Sequence, residues 1–488
     1  MRLWLSVHLP LLPLETHRPR WSEPGPYVVI ERERVLVASQ EALEAGVRVG
    51  MQRNGVLTLC PAAAVHARDD QRERMALDSV ALCLLQYTPD VACAAQSSLV
   101  LEVGASLRAF GGVRRLFRRA QADVLALGLT GDWGMAPTAQ GAWLLAHAAG
   151  MAGCRRRVLR METLVPVLNR VPCHCLPALA PYLDWLTGIG CRTLGELRRL
   201  PRAGLKRRCN EAVLDALDRA YGQAPELFTW IATPEVFAAR LELPDRIDQA
   251  EGVLFGARRL LLQMTGWLTA RQRAVERFTL ALEHERGRQA VAPTVLEVAL
   301  ATAAWQEPHL TRLLKERLGR LTLAGPVIVL RLEATQTVAM APPSAALFPE
   351  PGGTPADFQR LIELLSARLG DDHVLVPALV ADHRPELCNR WLPAASAKRT
   401  TTPPLPDVER PFWLLESPIE LMLREERPFY GSPLRLLGGA ERIECGWYDG
   451  QLVVRDYFVA LGAESACYWV YRERLGDDIR WYLHGLFG

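Results

Sequence analysis

The sequence predicts an α+β protein of several domains. Three observations carry that prediction. Residues 1–165 alternate short β-rich runs with amphipathic helical ones, as layered α/β and α+β domains do. Residues 166–237 read as helical, with a glycine turn among the helices. Residues 412–488 fall into short aromatic runs punctuated by glycine, the pattern of a small β unit. A length of 488 residues leaves room for about three to five such domains at ~100–200 residues each.

The elements follow in order. "LWLSVHLPLLPLE" (Leu3–Glu15) is an apolar strand running into a helix or loop, with Ser6 and His8 in its polar slots. "YVVIERERVLVAS" (Tyr27–Ser39) is two β runs broken by charges, a hairpin signal. "QEALEAGVRVGM" (Gln40–Met51) is a short helix ended by Gly46. A helix capped by its leading acids begins at Asp69, and "SSLVLEV" (Ser97–Val103) is a strand. A turn and an amphipathic helix follow from Leu107, then another strand, turn and helix from Leu129. "YLDWLTGIGCRTLGELRRLP" (Tyr182–Pro201) joins two helical runs through Gly188-Ile189-Gly190. This is either a plain α-hairpin or a helix-hairpin-helix, whose backbone N–H groups hold a DNA phosphate.

Beyond residue 238 a long amphipathic helix (Glu251–Gln272), strands at Val275–Glu285 and Pro326–Thr335 and a helix at His309–Leu321 make a further unit. Residues 337–355 are rich in Pro, Ala and Gly and read as a linker, and 356–393 as a helical extension. A second linker at 394–411 precedes the tail.

Composition bounds the function. The net charge of +3 provides no overall basic field, so any nucleic-acid contact must come from local patches. Lysine occurs only at Lys206, Lys315 and Lys398; the arginine bias suits phosphate recognition, and a coding bias explains it equally well. Eleven cysteines lie scattered, and Cys173-His174-Cys175 is too tight for usual zinc spacing. No signal peptide and no run of ~18 apolar residues is legible, so a cytoplasmic protein is expected.

The run Val35–Pro61, with its strand, Ala-Ser, short helix, Gly-Val, Gly-Met and Leu-Cys-Pro, resembles the fingers of Y-family translesion DNA polymerases. The other parts follow in that family's order over residues 1–335. The resemblance implies palm and fingers at 1–165 (fingers at 15–70), a thumb at 166–237 and a little finger at 238–336. Active members hold two metal ions on an Asp of the first strand and an Asp-Glu pair before the second. Aligning Glu15 and Leu101-Glu102-Val103 with the family's pattern puts Ser6, Ser97 and Ser98 at those positions, and His8 at the second acid of the first strand. Leu3–Glu15 and Ser97–Gly112 contain no Asp at all. The triphosphate-contacting residues of the fingers fall at Gln40 and Leu43, and the steric-gate region near Pro10. Serine is a poor ligand for a hard divalent cation, and Glu102 alone cannot hold two. No catalytic residue, metal or cofactor is therefore expected.

The chain thus resembles the noncatalytic, polymerase-like branch of that family found in bacterial DNA-damage mutagenesis cassettes, whose tail "DHRPE" (Asp382–Glu386) and Gly431–Gly450 resemble. That resemblance implies an adaptor binding the sliding clamp, an ImuA-type RecA-like protein and an error-prone C-family DNA polymerase. The clamp peptide falls at Ser344-Ala345-Ala346-Leu347-Phe348, which keeps the Leu-Phe pair and lacks the usual Gln. Sequence-independent contact with primer-template DNA is expected at Gly188, Gly190, Arg192, Lys206, Arg207 and Arg208; for the last three a solvated helix face is the alternative. In the tail, Trp447, Tyr448, Tyr457, Trp469 and Trp481 are candidates for partner contact or for packing of the β unit. An active polymerase with relocated acids and a scaffold without DNA contact are the other two readings.

Overall fold

The first strand, Trp4–His8, lies inside a four-stranded antiparallel sheet in the order Val91–Ala94, Ser98–Glu102, Trp4–His8, Asp132–Ala136. Strand residues alternate between faces. Leu3, Leu5 and Val7 therefore point one way and Trp4, Ser6 and His8 the other. On the Leu5 face, Leu99, Leu101 and Met135 meet the helices Asp70–Leu84 and Val113–Ala126 through Ala76, Val80, Leu116, Phe117 and Ala120. On the Trp4 face, Val100 and Ala136 meet the helix Ala139–His147 and the helical segment beyond it. The computed structural model describes residues 2–20, 22–150, 155–285, 291–340, 355–394, 410–475 and 479–487, without the side chains of 301, 355, 356 and 464.

The capping logic of the sequence holds locally. Asp69 caps its helix by accepting from the N–H groups of Gln71 and Arg72, each at 3.0 Å. Gly46, with φ +99°, follows the helix Gln40–Glu44, a conformation that costs glycine no Cβ clash. The hairpin Tyr27–Glu31/Arg34–Ala38 forms as expected. It gains a third, parallel strand, Ala64–Ala67, which at four residues with a single β-branched side chain is too short to announce itself in the sequence.

The helical segment contains Leu183–Gly188 and Leu194–Arg199 joined by a tight turn, then Arg202–Arg208 and Glu211–Ala220. A second antiparallel sheet follows, ordered Thr294–Ala304, Arg273–His284, Val327–Ala339, Ala238–Ile247. Two of its strands were not legible. Pro244 argues against a strand at 238–247, and the ladder accommodates it with a register shift where Val327 pairs with Ile247 and Val329 with Glu242. Thr294–Ala304 is alanine-rich and so low in strand propensity. The long helix Ala250–Ala270 lies against Asp70–Leu84; a Cβ on Gly266 would sit 1.7 Å from the Leu82 carbonyl oxygen, so only glycine permits that approach.

These elements form one compact unit, Met1–Arg360; a second comprises Leu361–Gly488. In the second, a hairpin of Leu375–Leu379 and Asn389–Pro393 stands beside a seven-stranded antiparallel sheet. The sheet's order is Ser432–Pro433, Arg427–Tyr430, Trp413–Arg424, Arg480–Leu486, Cys467–Glu473, Val453–Leu461, Arg435–Cys445. Its two faces build separate cores, one around Leu421, Ala460, Val470, Trp481 and Leu483, the other around Ile443, Tyr457, Trp469 and Tyr471. No described helix is long and apolar enough to cross a membrane.

Candidate functional site

The register of the first sheet puts Ser6 opposite Val100 on one side and Gly134 on the other, and His8 opposite Ser98 and Asp132. Ser6 is fully buried, and its hydroxyl donates to the Leu99 carbonyl oxygen at 3.2 Å. Ser98 is also fully buried and donates to Gln96 O at 2.9 Å. Ser97 occupies the hairpin turn before it with φ +47°. His8 Nδ1 lies 2.8 Å from Gln96 O and 3.2 Å from Ser98 Oγ. The space over this face is filled by rings. The His8 ring stacks on His147 at 3.9 Å between centroids, and His147 stacks on Trp143 at 3.6 Å. The helix carrying His147 and Trp143 sits so close that a Cβ on Gly134 would lie 2.1 Å from Ala142 O. Burial lowers the pKa of His8, opposed by the Gln96 carbonyl and by Asp132. Burial, and then the neighbouring His8, bring His147 down to about 4. Both rings are therefore neutral at pH 7.

The acids around this sheet have other partners. Glu15 is buried and accepts from Thr130 N at 2.7 Å and Thr130 Oγ1 at 2.5 Å. Burial raises its pKa, against the pull of those two bonds and of Arg20 and Arg259. Glu102 braces the strand end by accepting from Leu3 N and Gly104 N, each at 3.1 Å. Asp132 is a carboxylate beside His8, and sequence reasoning passed over it because its neighbour is set by strand pairing. Buried hydroxyls already bound to carbonyls, a neutral histidine and one acid do not fit a two-cation centre. Among the described residues no group of three or more His, Cys, Asp or Glu could hold a metal ion. Gln40 is exposed and donates to Glu44 at 2.9 Å, Leu43 packs on the small core of its own domain, and Pro10 is exposed.

The glycine turn departs from what its sequence suggested. Gly190 has φ +78°, but its N–H donates to Thr187 O, and Cys191 N donates to Leu186 O. Gly188 is the last residue of its helix, where free backbone groups are carbonyls rather than N–H. At the next helix, the Glu196 carboxylate accepts from Arg192 N at 2.7 Å and Thr193 N at 3.0 Å, closing a capping box with Thr193. The N–H groups expected to cradle a phosphate at Gly188 and Gly190 are thus already partnered, and a carboxylate occupies the anion position. The signature Thr193-Leu194-Gly195-Glu196 signals this in the sequence. Side-chain charge remains. Arg192, Arg207 and Arg208 are exposed, Arg208 lies over the Trp185 ring at 5.8 Å, and Lys206 is tied to Glu211 at 2.9 Å. Cys173 and Cys175 are buried among the packing residues of this segment, Cys173 with its pKa pushed up to about 12, first by burial.

The chain is similar to several known proteins. Residues 14–147 match the model of the impB/mucB/samB family. Over 470 residues, covering 91% of this chain and 100% of the relative, the chain is 25% identical to the protein ImuB of Caulobacter vibrioides, in both strain NA1000 / CB15N and strain ATCC 19089. The chain is ImuB-like. Among solved structures, an insertion ternary complex of Dbh DNA polymerase aligns with a TM-score of 0.39 at 16% identity, over 70% of this chain and 100% of that one. A DinB family error-prone DNA polymerase from Sulfolobus solfataricus aligns with a TM-score of 0.38 at 16% identity, over 70% and 100%.

In the C-terminal unit of the ImuB-like chain the five aromatic candidates separate. Tyr457, Trp469 and Trp481 are core residues: Tyr457 stacks on Trp469 at 4.0 Å and its hydroxyl lies 2.8 Å from His484 Nδ1. For these three the packing alternative holds over partner contact, because strand alternation turns them into the two cores. Trp447 and Tyr448 sit on the turn before Val453–Leu461, 71% and 60% exposed. Tyr448 is oriented by donating to Asp382 at 3.0 Å, and Asp382 also binds Arg384 at 2.7 Å. Phe412, Trp413 and Trp391 are exposed as well and were not picked out by sequence. The peptide Ser344–Phe348 lies outside the described residues.

Proposed function

We propose that this ImuB-like chain is a noncatalytic, polymerase-like adaptor in DNA-damage-induced mutagenesis and translesion synthesis. In this reading it links the sliding clamp, an ImuA-type RecA-like protein and an error-prone C-family DNA polymerase in the cytoplasm, at the nucleoid after DNA damage. The observation that carries the reading is the closed face of the first sheet. Two-metal phosphoryl transfer needs carboxylates that hold cations against the reacting oxygens. Here the matching face carries Ser6, Ser98 and a His8–His147–Trp143 ring stack. A fold kept without that chemistry serves to position partners. The test is primer extension by the purified chain with Mg²⁺ or Mn²⁺. No template-dependent incorporation is expected, and reconstitution with clamp and C-family polymerase restores synthesis. Incorporation by this chain alone, lost on its mutation, sinks the adaptor reading.

The partnered N–H groups at Gly190, Arg192 and Thr193 favour a second reading, a scaffold whose hairpin does not hold DNA. Salt-sensitive binding of a primer-template duplex that weakens in R192Q/R207Q/R208Q excludes it.

A further inference from the structure

The helix Val113–Ala126 buries Leu116, Phe117, Ala120 and Val124 and turns four exposed arginines outward: Arg114, Arg115, Arg118 and Arg119. Arg114 and Arg118, like Arg115 and Arg119, lie one turn apart, about 6 Å along the axis. Arg118 lines two adjoining concavities. The first is walled by Gly111, Arg114, Arg115, Arg118, Arg119 and Ala122. The second is walled by Phe117, Arg118, Gln121, Arg155, Arg156 and Arg157. Arg156 is fixed beside the sheet because its carbonyl accepts from Met135 N at 2.8 Å, and Val158 N returns a bond to Met135 O.

Seven guanidiniums thus meet with no acid on either wall. Among the described residues none of the seven side chains makes an ion pair or a hydrogen bond; Arg157 rests on the Phe117 ring at 5.1 Å. Asp123 and Asp132 act on Arg119 and Arg156 only through space. Several arginines elsewhere in this unit do find carboxylates, as Arg18 does with Asp245 and Arg202 with Asp218.

We propose that this face binds the phosphodiester backbone of a nucleic acid. Unpaired guanidinium forks at turn spacing suit successive phosphates, which they bind bidentately. A protein interface is depleted of charge at its centre and anchored by apolar side chains. Here the one large apolar wall residue, Phe117, is buried. The face also lies on the opposite side of the first sheet from the helical hairpin, whose Leu186 and Leu194 belong to the same core as Trp4 and Val100. A strand bound here is therefore separate from any strand held by Arg192, Arg207 and Arg208.

The test is fluorescence anisotropy of the full chain with a labelled 30-nucleotide single strand and a 30-base-pair duplex between 50 and 200 mM NaCl. R114Q/R115Q/R118Q/R119Q removes up to four phosphate contacts. The slope of log K against log salt should fall by about 3.6 for duplex or about 2.8 for a single strand. Over that salt range the unaltered chain then loses roughly 50- to 150-fold more affinity than the variant. The larger effect identifies which form of nucleic acid is bound. R155Q/R156Q/R157Q probes the same face from its other wall, and an unchanged melting temperature shows that each variant folds. An unchanged slope in both variants overturns the proposal. Loss confined to R192Q/R207Q/R208Q also overturns it and leaves the hairpin contact standing. Competition by poly-glutamate as effective as that by DNA of equal charge overturns it in favour of an acidic protein.

Discussion

Ser6→Asp returns an acid to the first strand and asks whether that position is closed core or a latent cation site. Ser6 has no exposed surface and donates to Leu99 O at 3.2 Å. An ionised carboxylate cannot donate there, so it would face a carbonyl oxygen without a counter-ion. The lower-energy state is the neutral carboxyl. Holding it neutral at pH 7 against an ordinary value of ~3.9 costs about 4 kcal/mol, from ~3.1 pH units at ~1.4 kcal/mol each. The folded-state pKa is raised, so the penalty is small below pH ~4 and grows as pH rises and the unfolded chain ionises. Ser6→Ala is the reference, losing one hydrogen bond worth ~1 kcal/mol. Urea unfolding followed by circular dichroism at pH 4, 5.5 and 7 measures both. Ser6→Asp should be less stable than Ser6→Ala by about 3–4 kcal/mol at pH 7 and by under ~1 kcal/mol at pH 4. Equal stability at pH 7, or selective stabilisation of Ser6→Asp by millimolar Mn²⁺, refutes the closed-core account.

The ring stack should make the N-terminal unit acid-sensitive. His147 falls from 6.5 to about 4 on folding, so its contribution is complete above pH ~6.5 and fades as pH drops through the folded value. That span is worth at most ~3.4 kcal/mol, and partial exposure of the ring reduces it to ~2; His147→Gln should flatten the acid limb of stability against pH by that reduced amount. Trp469→Ala removes a side chain only 2% exposed and should destabilise the C-terminal unit by ~3–5 kcal/mol, whereas Trp447→Ala should stay within ~0.5 kcal/mol by thermal melting. Leu347→Ala with Phe348→Ala should abolish pull-down by the sliding clamp; undiminished capture moves the clamp contact elsewhere.

Local properties of the chain were legible without coordinates. The missing acids are a matter of residue identity: no arrangement of Leu3–Glu15 or Ser97–Gly112 supplies an Asp. The cap at Asp69, the glycine after Gln40–Glu44 and the Tyr27–Ala38 hairpin follow from side chains acting on nearby backbone, so a short window contains their cause. The Ala238–Ile247 strand escaped because its Pro244 is tolerated only through a register shift against a strand about 80 residues away.

What the tertiary structure decided depends on which faces meet. Strand pairing and the seating of Ala139–His147 on Gly134 stack His8 on His147, and no periodicity in either segment announces that contact. Burial separated Tyr457, Trp469 and Trp481 from Trp447 and Tyr448, although all five are aromatics in one tail. The hairpin's N–H groups were taken by Glu196 and nearby carbonyls, and Arg155–Arg157 were brought beside Arg114–Arg119. The sequence by itself determined which chemical groups this chain has and lacks. Folding decided which of them find partners and which face outward, because burial and pairing belong to surfaces built from distant segments.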